Sequence, residues 1–136
     1  LIRLAPGPAQ VIDEVPFGRL YVDGNVIIET EDEAIRDRKR LAAEGAVNIS
    51  LAVSAKNALL AGPTASVRGL TMPDEEDFDL ALEELESAAK AAFAKLNHSE
   101  RSDDEVIETS VVRMVRKAAE RLWKKRPLVD VSVLRV

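Results

Sequence analysis

Apolar positions between Ser102 and Val136 follow two different periods. Ile107, Val111, Met114, Ala118 and Leu122 recur at the spacing of one helix face, and Val115, Ala119 and Trp123 widen that stripe. Ahead of it, Ser102-Asp103-Asp104-Glu105 has the form of a capping box. In that motif Ser102 accepts from the N3 amide and Glu105 reaches back to the Ser102 amide. The pattern predicts a helix over 103–125. Pro127 ends it, because the proline ring clashes with a continuing turn and disfavours helical geometry at Arg126. From Leu128 to Val136 the period drops to two, with Val129, Val131 and Val133 on one face and Leu128, Asp130, Ser132, Leu134 and Val136 on the other. A last strand fed by a last helix must return to a sheet built earlier in the chain.

Upstream residues supply that sheet. Ala46 to Ser54 alternates strictly, with Val47, Ile49, Leu51 and Val53 facing one way and Asn48, Ser50 and Ser54 the other. Ala55-Lys56-Asn57 reads as a turn. Ala58 to Leu70 reads as a second strand that Gly62-Pro63 breaks or bulges. Pro73-Asp74-Glu75-Glu76-Asp77 opens a long helix with acidic residues at its positive end. Its stripe is Phe78, Leu82, Leu85, Ala89, Ala92 and Leu96, with Phe93 beside it. The short polar loop from Asn97 to Arg101 implies an antiparallel helix pair. Counting chain reversals makes the last strand antiparallel to the second and parallel to the first, and connection rules place it beside the first. The expected fold is α+β: a three-stranded mixed sheet with two antiparallel helices packed on one face.

The first 45 residues read as an arm. Leu1 to Ile28 is apolar but interrupted by Pro6, Pro8, Pro16, Gly7, Gly18 and Gly24. Val11 to Val15 and Arg19 to Val22 are short strand candidates, and Asp23-Gly24 is a turn signal. Val15, Phe17, Leu20, Tyr21, Val22, Ile27 and Ile28 need a surface to lie on. Thr30-Glu31-Asp32-Glu33 has the form of a second capping box. It predicts a short helix to about Ala43, with Gly45 beyond its end.

Composition narrows the function. The chain has 136 residues, 46% hydrophobic and 32% charged, which fits one domain with an extra arm. Aromatics make up 4%, so the core must be aliphatic. No apolar run reaches the roughly 18 residues of a membrane span, so no membrane partner is expected. The start lacks the basic and long apolar segments of a signal peptide, and a cytoplasmic location is expected. The first residue is not Met, which suggests a piece of a longer protein. There is no cysteine and a single histidine, His98, so thiolate sites and the usual zinc constellations are excluded. A triad would have to use His98, which reads rather as a solvated loop residue, and no Gly-x-Ser-x-Gly elbow accompanies it. The acidic runs at 74–77 and 103–105 are explained by helix starts rather than by a metal. A net charge of −5 argues against broad nucleic-acid affinity. One local patch opposes it. Arg113, Lys117 and Arg121 lie four apart on one helix face, with Arg116, Lys124, Lys125 and Arg126 nearby. They can contact RNA phosphates, with Arg113, Lys117, Arg121 and Lys124 as candidate contacts, or form a solvated face that complements the helix dipole. On the last strand, Leu128, Leu134 and Val136 are candidate interface residues.

Several strings in order carry a resemblance. They are Gly18-Arg19-Leu20-Tyr21-Val22-Asp23-Gly24, Ile35-Arg36-Asp37-Arg38, Glu44-Gly45 entering an aliphatic strand, Ser66-Val67-Arg68-Gly69-Leu70 after Gly62-Pro63, and Lys125-Arg126-Pro127-Leu128-Val129. Together they resemble the C-terminal part of the ribonuclease J family, bacterial metallo-β-lactamase/β-CASP ribonucleases. The resemblance implies that 1–45 is the end of a catalytic domain and a linker, and that 46–136 is a small C-terminal domain. It implies a parent enzyme that hydrolyses RNA from the 5′ end and internally, with zinc held by a His-x-His-x-Asp-His motif. That motif is missing here, so the resemblance transfers no catalytic residue, metal ligand or cofactor to this chain. The implied role is an accessory domain that supports oligomerisation, with the catalytic domain of the same chain and a second copy as partners, and RNA as a partner through the parent. The chain departs from the family pattern at Asn25-Val26-Ile27-Ile28-Glu29, where a glycine-rich linker is usual, and at Ser66-Val67-Arg68-Gly69-Leu70, where the family has Ser-Arg-Gly-Phe.

Overall fold

A computed structural model describes residues 2–3, 6–14 and 18–136. The expectations placed on Leu1, Leu4, Ala5, Val15 and Phe17 lie outside the described residues. Chain contacts divide the molecule into two compact units, Leu1–Arg36 and Asp37–Val136.

The first unit is built from short antiparallel pairs. Strand β1 (Ile2–Arg3) pairs with β2 (Gln10–Val11), and β3 (Leu20–Asp23) pairs with β4 (Val26–Glu29). Gly24 supplies the left-handed backbone that the β3–β4 turn needs, at φ +61°. Helix α1 (Glu33–Glu44) follows. Its start corrects the capping-box expectation. Asp32 is the residue that caps: its Oδ1 accepts from the Ala34 amide at 2.9 Å. The Thr30 hydroxyl instead donates to the Arg19 carbonyl at 2.6 Å, which closes the open end of the β3–β4 hairpin.

The second unit is the expected helix-on-sheet layer. Strands β5 (Ala46–Val53), β6 (Leu59–Arg68) and β7 (Leu128–Arg135) form one sheet in the order β6-β5-β7. β5 pairs antiparallel with β6 and parallel with β7. The chain enters this sheet at Gly45, which has φ +74° and donates its N–H to Leu41 O at 2.9 Å. A Cβ there would lie 2.8 Å from the Arg68 carbonyl oxygen, so only glycine fits this close crossing. The Gly62-Pro63 interruption is a bulge: the register slips between Ser50 and Ala52, and β6 continues on both sides.

Helices α2 (Glu75–Lys95) and α3 (Asp104–Trp123) cover one face, α2 over β6 and α3 over β7. Asp74 caps α2 by accepting from the Asp77 amide at 2.8 Å. For α3 the cap is Asp103, which accepts from the Glu105 and Val106 amides. Ser102 belongs to a preceding 3-10 turn, Glu100–Ser102, and its hydroxyl donates to Ser99 O at 2.6 Å. The cap therefore lies one residue beyond the expected Ser102, and no capping box forms, because the N3 residue is then Val106. An ionised carboxylate is the stronger acceptor, and the turn has already engaged the serine.

Val47, Ile49, Leu51 and Val53 of β5 are all buried, and Val131 of β7 joins them. Opposite lie Ala81, Leu85, Ala89, Ala92 and Phe93 of α2 and Ile107, Val111, Val115, Ala118 and Ala119 of α3. Both helical stripes are rotated slightly from expectation. Phe78, Leu82, Leu96, Met114 and Leu122 sit half-buried at their margins. The alanines explain the shift: small side chains at the centre let helix and sheet approach, and the bulkier residues then fill the flanks.

Candidate functional site

The basic face of α3 follows from helical spacing, but its charges do not all remain available. Arg113, Lys117 and Arg121 lie on one exposed side. The Arg121 guanidinium is held by the Glu84 carboxylate of α2. Lys124 is the C-cap of α3, in a left-handed conformation at φ 54°, with its N–H donated to Glu120 O. Lys125 Nζ donates to Ala43 O at 3.1 Å, and the Arg126 amide and guanidinium bind Glu44 and Glu120. Among the described residues, Arg113, Arg116, Lys117 and Lys124 have no ion-pair or hydrogen-bond partner for their side chains. Arg113, Arg116 and Lys117 border a shallow depression with Thr109 and Val112, and Glu108 and Glu120 border it too. The two carboxylates offset part of its positive charge. The face can meet two or three phosphates; it has no aromatic platform and no enclosed cleft.

The candidate interface residues lie on or next to β7. Leu128 is opposite Ala46, Asp130 opposite Asn48, Ser132 opposite Ser50 and Leu134 opposite Ala52, all on the sheet face away from the helices. Leu128 is half-buried and Leu134 is 60% exposed. Val136 is exposed just beyond the strand, where its backbone still pairs with Val53 and Ala55. The structure thus separates Leu128 from Leu134 by exposed Asp130 and Ser132, which gives a mixed face rather than an apolar patch.

Sequence reasoning missed two polar contacts that define the sheet's ends. Arg135 at the end of β7 donates to Asp104 Oδ1 at 2.8 Å, Asn57 Oδ1 at 2.9 Å and the Arg101 carbonyl at 2.7 Å. It ties the β5–β6 turn, the α2–α3 loop and the start of α3 to one side chain. At the other edge, Glu86 Oε1 of α2 accepts from the Ala65 amide of β6 at 2.9 Å. Helical spacing places Glu86 beside the buried Leu85, but nothing local shows that a strand amide awaits it.

His98 lies exposed in the α2–α3 loop, and its carbonyl accepts from the Asn57 amide group. Among the described residues no group of three His, Cys, Asp or Glu side chains converges in a way that could hold a metal ion. No helix of the described residues is long and apolar enough to cross a membrane.

The sequence is similar to those of known proteins. The model of the ribonuclease J C-terminal domain matches residues 33–136. A protein named ribonuclease J from Sinorhizobium meliloti is 35% identical over 137 residues, covering 100% of this chain and 24% of that protein. Another protein of that name, from Corynebacterium glutamicum, is 24% identical over 135 residues, covering 98% of this chain and 18% of its own length. The chain spans about a quarter or less of these curated relatives. It belongs to the ribonuclease J family, and residues 33–136 are its C-terminal domain.

Proposed function

We propose that this chain is a non-catalytic accessory domain of a cytoplasmic ribonuclease J, supporting oligomerisation and assembly of an enzyme that degrades and processes RNA. The observation that carries this reading is where the polar chemistry lies. Among the described residues every buried side chain that forms the core is apolar. The single histidine is in an exposed loop, and no metal-competent cluster is present among the described residues. The described residues offer no donor set of the kind that holds zinc in the parent enzyme, which supports an accessory role for this domain. What the domain offers is surface: a mixed sheet face, a sheet edge and a helix face whose cations are only partly compensated. Its partners are a second copy and the catalytic domain of its own parent chain, with RNA reached through the parent.

Sedimentation of the 136-residue chain across a concentration series tests the assembly role. The expected result is a reversible dimer, weakened in Leu128→Ser/Leu134→Ser; a monomer at every concentration refutes it. Incubation with 5′-monophosphorylated RNA and Zn²⁺, Mg²⁺ or Mn²⁺ tests the absence of catalysis. Cleavage that survives repurification and disappears on mutating a residue of this chain overturns that part.

A further inference from the structure

Strand β7 reads almost the same in both directions. Leu128-Val129-Asp130-Val131-Ser132-Val133-Leu134 is symmetric about Val131, except that Asp130 answers Ser132. We propose that β7 pairs antiparallel with β7 of a second copy across a twofold axis at Val131, joining two three-stranded sheets into one of six strands. This rests on the assembly role proposed above and names its surface.

The backbone of β7 is arranged for such pairing. Leu128 donates its N–H to Gly45 O and Val136 donates to Val53 O, each at 3.0 Å. In the parallel register with β5, the even-numbered residues of β7 therefore bond inward. The N–H and C=O groups of Val129, Val131 and Val133 turn away from β5, and no described residue bonds them. An unpaired edge of this kind is a template for another strand. The opposite edge of the sheet is closed to the same use. On β6 the Ala65 amide is taken by Glu86, Pro63 has no N–H, and Gly62 sits in the bulge.

Side-chain chemistry selects the register. With the axis at Val131, Val129 faces Val133 of the second copy, Leu128 faces Leu134, and Asp130 faces Ser132. Each apolar residue meets an apolar one, and the carboxylate meets a hydroxyl that can donate to it. No like charges are opposed, which would be unfavourable across an antiparallel pair. Moving the axis to Ser132 would set Val129 against Arg135 and Asp130 against Leu134. The second copy is thus the occupant that the strand's own sequence matches, and a C2 pairing of this kind uses the same patch on both subunits.

The chain has no cysteine, so single thiols report the register cleanly. Asp130 and Ser132 of the two copies form a non-hydrogen-bonded pair with Cα atoms about 4.5 Å apart, within disulfide reach. Identical residues of the two copies are diagonal, at about 7–8 Å. Asp130→Cys and Ser132→Cys are each oxidised mildly alone and then as an equimolar mixture. The expected result is a cross-linked dimer in the mixture and little in either variant alone. Leu134→Lys, whose site is exposed, should raise the dimer dissociation constant about tenfold, because symmetry removes two leucine pairs at once. Circular dichroism confirms that each variant is folded. A chain that dimerises by sedimentation, yet cross-links no better in the mixture or ignores Leu134→Lys, refutes the edge pairing and leaves the assembly role standing. A chain that stays monomeric refutes both.

Discussion

Leu85→Ala probes the centre of the layer. Leu85 is 0% exposed, and it is the one large aliphatic side chain on a buried α2 stripe otherwise made of Ala81, Ala89, Ala92 and Phe93. Removing its outer carbons loses about 0.8 kcal/mol of transfer free energy per methylene, or about 2.4 kcal/mol for three. Around this stripe α2 packs on β6 and α3, which are held by the sheet ladder and the helix pair, so the site collapses little. A residual-cavity contribution then raises the total to about 3–4 kcal/mol, inside the range seen for buried Leu→Ala changes. With a urea m value of about 2 kcal/mol/M, the midpoint should fall by about 1.5–2 M. Trp123 is the sole tryptophan, half-buried at the end of α3, with its indole N–H donated to Thr71 O at 3.1 Å. Its fluorescence, compared with far-UV circular dichroism, follows the transition. Leu80→Ala is the matched control on the exposed side of α2, where Leu80 is 56% exposed, and it should shift the midpoint little. Equal midpoints for Leu85→Ala and Leu80→Ala would refute the assignment of this helix face to the core.

Gly45→Ala should cost about 2 kcal/mol or more, since it adds left-handed strain to a collision with the Arg68 carbonyl; a thermal midpoint equal to the parent's would contradict that packing. Arg135→Ala should lower stability by about 1–2 kcal/mol, a modest loss because its ion pair with Asp104 is partly solvated. Faster amide exchange in the Asn57 turn and the Asn97–Asp103 loop would accompany it, and unchanged exchange there would show that the side chain ties nothing together. RNA affinity, if measurable by fluorescence anisotropy, should have a log–log salt slope near −2 on single strands for about three contacts. Arg113→Glu/Lys117→Glu should bring it to about −0.7; an unaltered slope and affinity would remove the α3 face from RNA contact.

The layer itself was legible in the sequence because it depends on periodicity. The switch from helical spacing through Leu122 to alternation after Pro127 located α3 and β7. Reversal counting gives the parallel direction of β7, and connection rules give its place beside β5. What failed was finer than a helical turn. Ser102 and Thr30 fit the capping motif, whereas Asp103 and Asp32 lie where the helices begin. The basic face was legible as a row of charges, but its strength was not. Glu84, which neutralises Arg121, is 37 residues away in sequence and reaches it only through the packing of α2 on α3. Arg135 was hidden for the same reason: three of its contacts come from segments that only the closed fold brings to the end of β7.

The parallel pairing of β5 with β7 has a kinetic consequence. The β5–β6 hairpin and the α2–α3 pair join segments that are neighbours in sequence, so they close short loops. β5 meets β7 only after the chain between them has doubled back through both helices, as the bond from the Arg126 amide to Glu44, 82 residues apart, makes plain. Closing a loop that long costs entropy before any ladder bond repays it, and topologies of this kind fold slowly. β7 is therefore expected to dock late, and until it does, the most apolar strand of the sheet has one side unpaired. During that interval β5 is the segment most exposed to capture by another chain, so the docking of β7 ends the period in which this domain is most prone to aggregate.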